Sequence, residues 1–203
     1  MTGPRDELRA FYEHEAHERR RGPVRGRRVE LRDRVIRALL DEGRRSIVDF
    51  GAGPGGDGAA FVDAGLSYVG VDLAHGNARL AAEAGLTVVQ GSIAEPPLRA
   101  GSFDAGWSMS TLMHLPAPQV TAAAEAMVAT LQPGAPFTIG QWGGTLGDIT
   151  SDEPGTELRR LFSLRSIEAN RDLLAPVATI EHSEPWDVGP DGWEYHVIRL
   201  RTG

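Results

Sequence analysis

The run Asp49-Phe50-Gly51-Ala52-Gly53-Pro54-Gly55-Gly56 holds the residue types and spacing with the most chemical meaning in this chain. Closely spaced glycines let a backbone turn tightly and approach a ligand where side chains would collide. A helix that opens at such a turn offers free N–H groups to a phosphate or carboxylate. Asp72 follows Gly51 by 21 residues. An acid at the end of the next strand can accept hydrogen bonds from both hydroxyls of a ribose, so turn and acid together point to a sugar-adenosine ligand. The glycine spacing fits two patterns. Gly51, Gly53 and Gly56 satisfy G-x-G-x-x-G, the dinucleotide fingerprint, whereas Gly51, Gly53 and Gly55 satisfy D-x-G-x-G-x-G. Asp49 weighs towards the second, because an anion there repels a pyrophosphate but suits a cationic amine or sulfonium.

These residues need elements that hold them. Residues 5–20 read as a polar helix with Leu8, Phe11 and Tyr12 at helical spacing, and residues 27–43 as a second helix with its apolar residues near one face. From Ser46 onward the pattern becomes short apolar strands alternating with helices. Strands are expected at 46–50, 68–72, 86–90, 103–109 and 136–142, and helices at 57–64, 76–84 and 118–131. That rhythm predicts a parallel sheet covered on both faces, wound by right-handed crossovers. Residues 143–156 read as a glycine- and acid-rich loop. Ser166 reads as the cap of a helix through Leu174. Val177–Ser183 and Glu194–Arg201 alternate as a hairpin joined by Asp187–Gly192, so the sheet should end antiparallel. The fold class is thus α/β, a Rossmann-like doubly wound sheet that is mostly parallel with an antiparallel C-terminal hairpin strand. Residues 1–45 are expected to form an N-terminal helical lid, and residues 46–203 the ligand-binding domain.

Composition removes several functions. The 203 residues suit one domain with one substantial core. A net charge of −7 argues against a nucleic-acid partner. No apolar run is long enough to span a bilayer and no signal peptide is visible, so no membrane partner and a cytoplasmic location are expected. There is no cysteine, and all 21 basic residues are arginine. Thiolate chemistry, a lysine base and a Schiff base are therefore excluded. His14, His17, His75 and His182 show no ligand spacing, so no metal site is expected.

At this point the chain resembles the class I S-adenosylmethionine-dependent methyltransferases, small-molecule enzymes related to quinone-biosynthesis methyltransferases in particular. The resemblance runs through VDFGAGPGGDG at 48–58, VGVDLA at 69–74, GSI at 91–93, FDAGWSMSTLMHL at 103–115 and LQPGAPFTI at 131–139. It implies a seven-stranded sheet whose last strand alone is antiparallel. It implies a donor site at Asp49, Gly51, Ala52, Gly53 and Gly55. Asp72 would hold the ribose, with Leu73 beside the adenine. Ser92 stands where the family often has an acid reaching the adenine amine, a departure from the pattern, and Ile93 packs on the ring. The end of the fourth strand, with Ser108 and Met109, lines the transfer site, and Tyr12 belongs to the lid. The implied cofactor is S-adenosyl-L-methionine, with S-adenosyl-L-homocysteine as product. The implied partner is a small-molecule methyl acceptor, in bacterial secondary metabolism, taken up by a monomer or homodimer.

Methyl transfer is an in-line displacement at an activated carbon, so much of the catalysis is alignment. A base helps where the acceptor must lose a proton. His114 is the candidate, with packing between Met113 and Leu115 as its alternative role. Trp107, Met109 and Trp142 are expected either to wall an acceptor or to fill the core, and Gln141 joins them at the strand ends. Arg159–Arg165 either recognises an acidic acceptor or forms a solvated face. Trp193, Tyr195 and His196 either reach the acceptor or build an edge. A nicotinamide-dependent oxidoreductase and a non-catalytic S-adenosylmethionine-binding module are the competing functions.

Overall fold

The computed structural model describes residues 3–18, 22–188 and 193–203, with the backbone alone at Asp187 and Val188. In chain order the elements are α1 (Pro4–His17), α2 (Arg27–Asp41), β1 (Ser46–Phe50), α3 (Gly58–Asp63), β2 (Ser67–Asp72), α4 (His75–Glu83), β3 (Val88–Gln90) and β4 (Gly106–Met109). A single 3-10 turn (Leu112–His114) and α5 (Ala117–Val128) follow. The chain ends with β5 (Pro136–Gly144), β6 (Gly147–Asp152), β7 (Arg159–Leu164), α6 (Ile167–Leu174), β8 (Thr179–Val188) and β9 (Trp193–Arg201).

Seven strands form one sheet in the order β3-β2-β1-β4-β5-β9-β8. Strands β1 to β5 pair in parallel, and β9 runs antiparallel to both β5 and β8. The reversed final strand agrees with the sequence. Strand order switches direction at β1, between β2 and β4, and such a switch opens a crevice at the carboxyl ends of the strands.

Strand alternation splits the core into two layers. Val48 and Phe50 of β1 cluster with Val120 and Met127 of α5 and Leu174 of α6, whereas Ile47 clusters with Leu39 of α2 and Phe61 of α3. Each large, fully buried side chain contributes about 1.5–3 kcal/mol, which keeps the sheet stiff beneath the crevice. Trp107 belongs to the second layer, is fully buried, and donates its indole N–H to Asp57 at 3.0 Å. It therefore walls no acceptor space. Its alternation within β4 directs it under α3, not outward.

The expected loop at 143–156 is instead partly strand. β5 continues through Gly144, and β6 pairs with β7 as a separate antiparallel hairpin with Ile149 opposite Phe162. Composition misled here because glycine and acids lower strand propensity. The strand exists because its partner buries Phe162 and Leu164 against Met113. Ser166 caps α6 as expected, its hydroxyl accepting from Ala169 N–H at 3.2 Å. Helix α1 ends at His17, and Arg19 and Arg20, expected to continue it, lie outside the described residues, as does the hairpin turn at Gly189–Gly192. No described helix is long and apolar enough to cross a membrane.

Candidate active site

A cleft of about 320 Å³ lies over the carboxyl ends of β1, β2 and β4. Its floor is the glycine turn. Gly51, Gly53 and Gly55 adopt φ values of 76°, 58° and 83°, a region that favours glycine. Gly51 lines the cleft, and a Cβ at this position would collide with Thr111. Gly53 N–H donates to Asp72 Oδ2 at 2.7 Å. Ala74 N–H and the Asn77 amide donate to Asp72 Oδ1 at 2.9 and 3.0 Å. These three donors fix the carboxylate at the cleft edge.

Leu73, Ser92, Ile93 and Met109 also line the cleft, as the sequence suggested. Ala52, Gly53 and Gly55 shape the turn from behind and are not among the lining residues. Ser108 is also absent from the walls: it is buried, and its hydroxyl ties β4 to β1 through the Phe50 carbonyl at 2.9 Å. Asp49 differs too. Strand alternation turns it to the Ile47 side, where it is buried and accepts from the Tyr68 hydroxyl at 3.1 Å. Burial pushes its carboxyl up to about 8, assisted by the charge of Asp57 and opposed by Arg28 and the Tyr68 hydrogen bond. Buried and held towards its protonated form, Asp49 is not among the residues lining the cleft.

The pH consequence follows in sign. An acid whose folded-state value exceeds its ordinary 3.8 holds a proton more firmly when folded. Stability contributed by that proton is present at low pH and is lost as pH rises through about 8. Asp49→Asn, which mimics the protonated form, is expected to flatten the decline in melting temperature of the ligand-free protein between pH 5 and 9. Calorimetric melts across that range check this. A variant whose slope matches the parent would show that Asp49 ionises normally.

Helix α1 lies across the cleft, with Pro4, Arg5, Leu8 and Tyr12 among its walls. Glu13 fastens it by accepting from the first amides of α4, His75 N–H at 2.6 Å and Gly76 N–H at 2.7 Å. The Tyr12 hydroxyl and His114 Nε2 are 2.7 Å apart. His114 Nδ1 lies 2.7 Å from the Leu161 carbonyl, which can only accept, so Nδ1 carries the proton. In the neutral ring Nε2 then accepts the Tyr12 O–H. Arg165 holds the turn that carries His114. It is buried and donates to the carbonyls of Leu115 at 2.9 Å and Leu112 at 3.2 Å, while Nε bonds Asn170.

A second, more open cavity of about 620 Å³ adjoins the cleft and shares Tyr12 and Ser110 with it. Trp142 and Trp193 line it, as do Phe162 and Arg160 of β7. Tyr195 is buried beside it, its hydroxyl 3.4 Å from Ser110 Oγ. His196 is fully buried elsewhere, against Asn170 and Glu194, and Gln141 is buried outside both cavities. Ser110 has φ 59°, the one non-glycine residue with positive φ among the described residues. Such backbone is costly for a side-chain-bearing residue and clusters at functional sites. Sequence reasoning missed Ser110, Thr111 and Asn77, which follow no periodic pattern and are assembled by the fold alone.

Residues 47–134 match a family model described as a methyltransferase domain. An uncharacterized methyltransferase from Mycobacterium sp. (strain JLS) is 40% identical over 78 residues, which span 37% of this chain and 31% of that relative. Among solved structures, the 1,6-didemethyltoxoflavin-N1-methyltransferase of Burkholderia thailandensis superposes with TM-score 0.72 at 23% identity, covering 100% of this chain and 91% of that one. It holds 1,6-didemethyltoxoflavin and S-adenosylhomocysteine. Magnesium protoporphyrin IX methyltransferase from Synechocystis PCC 6803, with bound S-adenosylmethionine, superposes with TM-score 0.74 at 13% identity, covering 100% and 99%. The strand order is thus that of a known architecture: residues 47–134 match the methyltransferase-domain model, and the whole chain shares the fold of these S-adenosylmethionine-dependent methyltransferases.

Proposed function

We propose that this chain transfers a methyl group from S-adenosylmethionine to a small molecule. One observation carries the reading. A cleft lined by the fixed carboxylate of Asp72 and by His114 adjoins a second cavity, the two sharing Tyr12 and Ser110. The residues fit the donor. Asp72 suits the ribose hydroxyls, Leu73 and Ile93 suit an adenine face, and Met109 and Gly51 leave room for the amino-acid arm. The donor supplies a methyl on a sulfonium, whose S–C bond electrons return to sulfur as the acceptor bonds the methyl carbon. The chain aligns the two partners and excludes water. His114 Nε2, released from Tyr12 or acting through its hydroxyl, takes the acceptor's proton.

The test is thermal stabilisation followed by turnover. S-adenosylhomocysteine is expected to raise the melting temperature and NADH is not. A rise specific to NADH would overturn the reading in favour of an oxidoreductase. Donor binding without transfer to any member of a broad acceptor panel would leave a non-catalytic binding module.

Helix α1 is the lid of this site. Glu13→Ala removes two charge-assisted bonds to the α4 amides, each worth about 1.5–3 kcal/mol. Release of S-adenosylhomocysteine is expected to quicken about tenfold or more, with faster amide exchange along α1, measured by stopped flow and hydrogen exchange. An unchanged release rate would remove the gating role.

A further inference from the structure

The second cavity has a composition that its size does not require. We propose that it takes a planar aromatic acceptor bearing an anionic group, with Arg160 as the partner of that anion. This deepens the methyl-transfer reading and rests on it.

Arg160 is the first reason. Its guanidinium lies over the rings of Phe11 at 4.4 Å and Phe162 at 4.6 Å, and farther, at 5.9 Å, over Tyr12. Its hydrogen bond to the Tyr12 hydroxyl is long, 3.5 Å, and its Nε is buried without a partner. Among the described residues no carboxylate pairs with it. Its neighbour differs: alternation along β7 sends Arg159 outward, where it meets Asp152 at 3.4 Å. Arg165, the other inward arginine of the run, is satisfied by Asn170 and two carbonyls. Ring faces offset part of the cost of withdrawing a cation from water. An anion in the cavity would supply the remaining hydrogen bonds and the opposite charge. In a chain of net charge −7, attracting an anion to one spot needs such a dedicated cation.

The walls are the second reason. Trp142 and Trp193 meet edge to face at 6.1 Å, and Phe162 meets Trp193 likewise at 5.4 Å. Flat ring surfaces beside the polarisable Met113 suit a flat, apolar body. Thr150 and Ser151 of β6 add hydroxyls for its edge. Position is the third reason. Arg160, the Tyr12 hydroxyl and His114 Nε2 form a continuous polar line from the second cavity to the donor cleft. An anion held by Arg160 would lie with its ring edge towards Ser110, where the cavities meet.

The experiment compares 2-naphthoate with 2-naphthamide, which share a ring system and differ in charge. Binding is followed by quenching of tryptophan fluorescence and by calorimetry, on protein saturated with S-adenosylhomocysteine. The acid is expected to bind about tenfold or more tightly than the amide. Arg160→Gln should bring the two to parity at saturating S-adenosylhomocysteine, and Arg160→Lys should keep a weakened preference for the acid. The proposal is overturned by an amide that binds as well as the acid, by a preference that survives in Arg160→Gln, or by neither compound binding. If Arg160→Gln fails to fold, the acid-to-amide ratios of the parent and Arg160→Lys decide. S-adenosylhomocysteine binding is measured first. Its absence counts against the donor reading, and the same pair of compounds on ligand-free protein still judges Arg160.

Discussion

Asp72→Ala is expected to weaken S-adenosylhomocysteine binding at least about a hundredfold. Two ribose hydroxyls donating to one carboxylate contribute about 1.5–3 kcal/mol each, and about 1.4 kcal/mol is a factor of ten in affinity. The carboxylate is already oriented by Gly53 N–H, Ala74 N–H and Asn77, so little ordering cost falls on binding. The same bonds give the substitution a structural effect. Buried donors left unpaired cost about 1–3 kcal/mol each, and one kcal/mol lowers the melting temperature by about 2–4 °C at this size. A ligand-side comparison separates the two effects. Adenosine and 2′,3′-dideoxyadenosine, used as competitors, should differ strongly in the parent and little in the variant. Equal discrimination in both proteins would take the ribose away from Asp72, whatever the melting temperature did.

His114→Ala is expected to lower turnover by about 10²–10⁴, the usual worth of a positioned base. Donor affinity should fall far less than turnover, because the ring's partners are Tyr12 of the lid, the Leu161 carbonyl and Phe162, not Asp72. Tyr12→Phe removes the 2.7 Å partner of Nε2 and keeps the ring. It should lower kcat less than His114→Ala does. Unchanged turnover in His114→Ala would leave alignment as the whole of the catalysis and His114 as a packing residue beside Phe162.

Much of the donor half was legible from local sequence. Glycines forced into φ > 0 and an acid closing the next strand are short-range requirements, and they identified Gly51 and Asp72 in the cleft. Leu73, Ser92, Ile93 and Met109 followed from position at strand ends. The same positional logic left Trp107 open between acceptor wall and core, and it put Ser108 and Asp49 at the cleft, whose lining includes neither. A strand's period of two sends alternate residues to opposite faces, and three-residue spacing on a page does not say which face is open. Trp107 went under α3, Ser108 to the Phe50 carbonyl, and Asp49 beneath Tyr68.

The acceptor half was legible only as open alternatives, at Trp142, Trp193 and Arg159–Arg165, because its parts are far apart in the chain. Tyr12 and His114 are 102 residues apart, and Arg160 is 148 from Tyr12. The hairpin carrying Arg160 has the composition of a loop and becomes sheet only through pairing that buries Phe162 and Leu164. Sequence alone determined the alternation of strands and helices, the reversed last strand, the glycine turn and its acid, since each is enforced by neighbours along the chain. Tertiary structure decided that Asp49 is buried with its carboxyl held towards the protonated form, that α1 lies across the cleft, and that an arginine with no carboxylate partner among the described residues meets an aromatic wall there. Those outcomes depend on which distant surfaces exclude water together, and no local pattern encodes that.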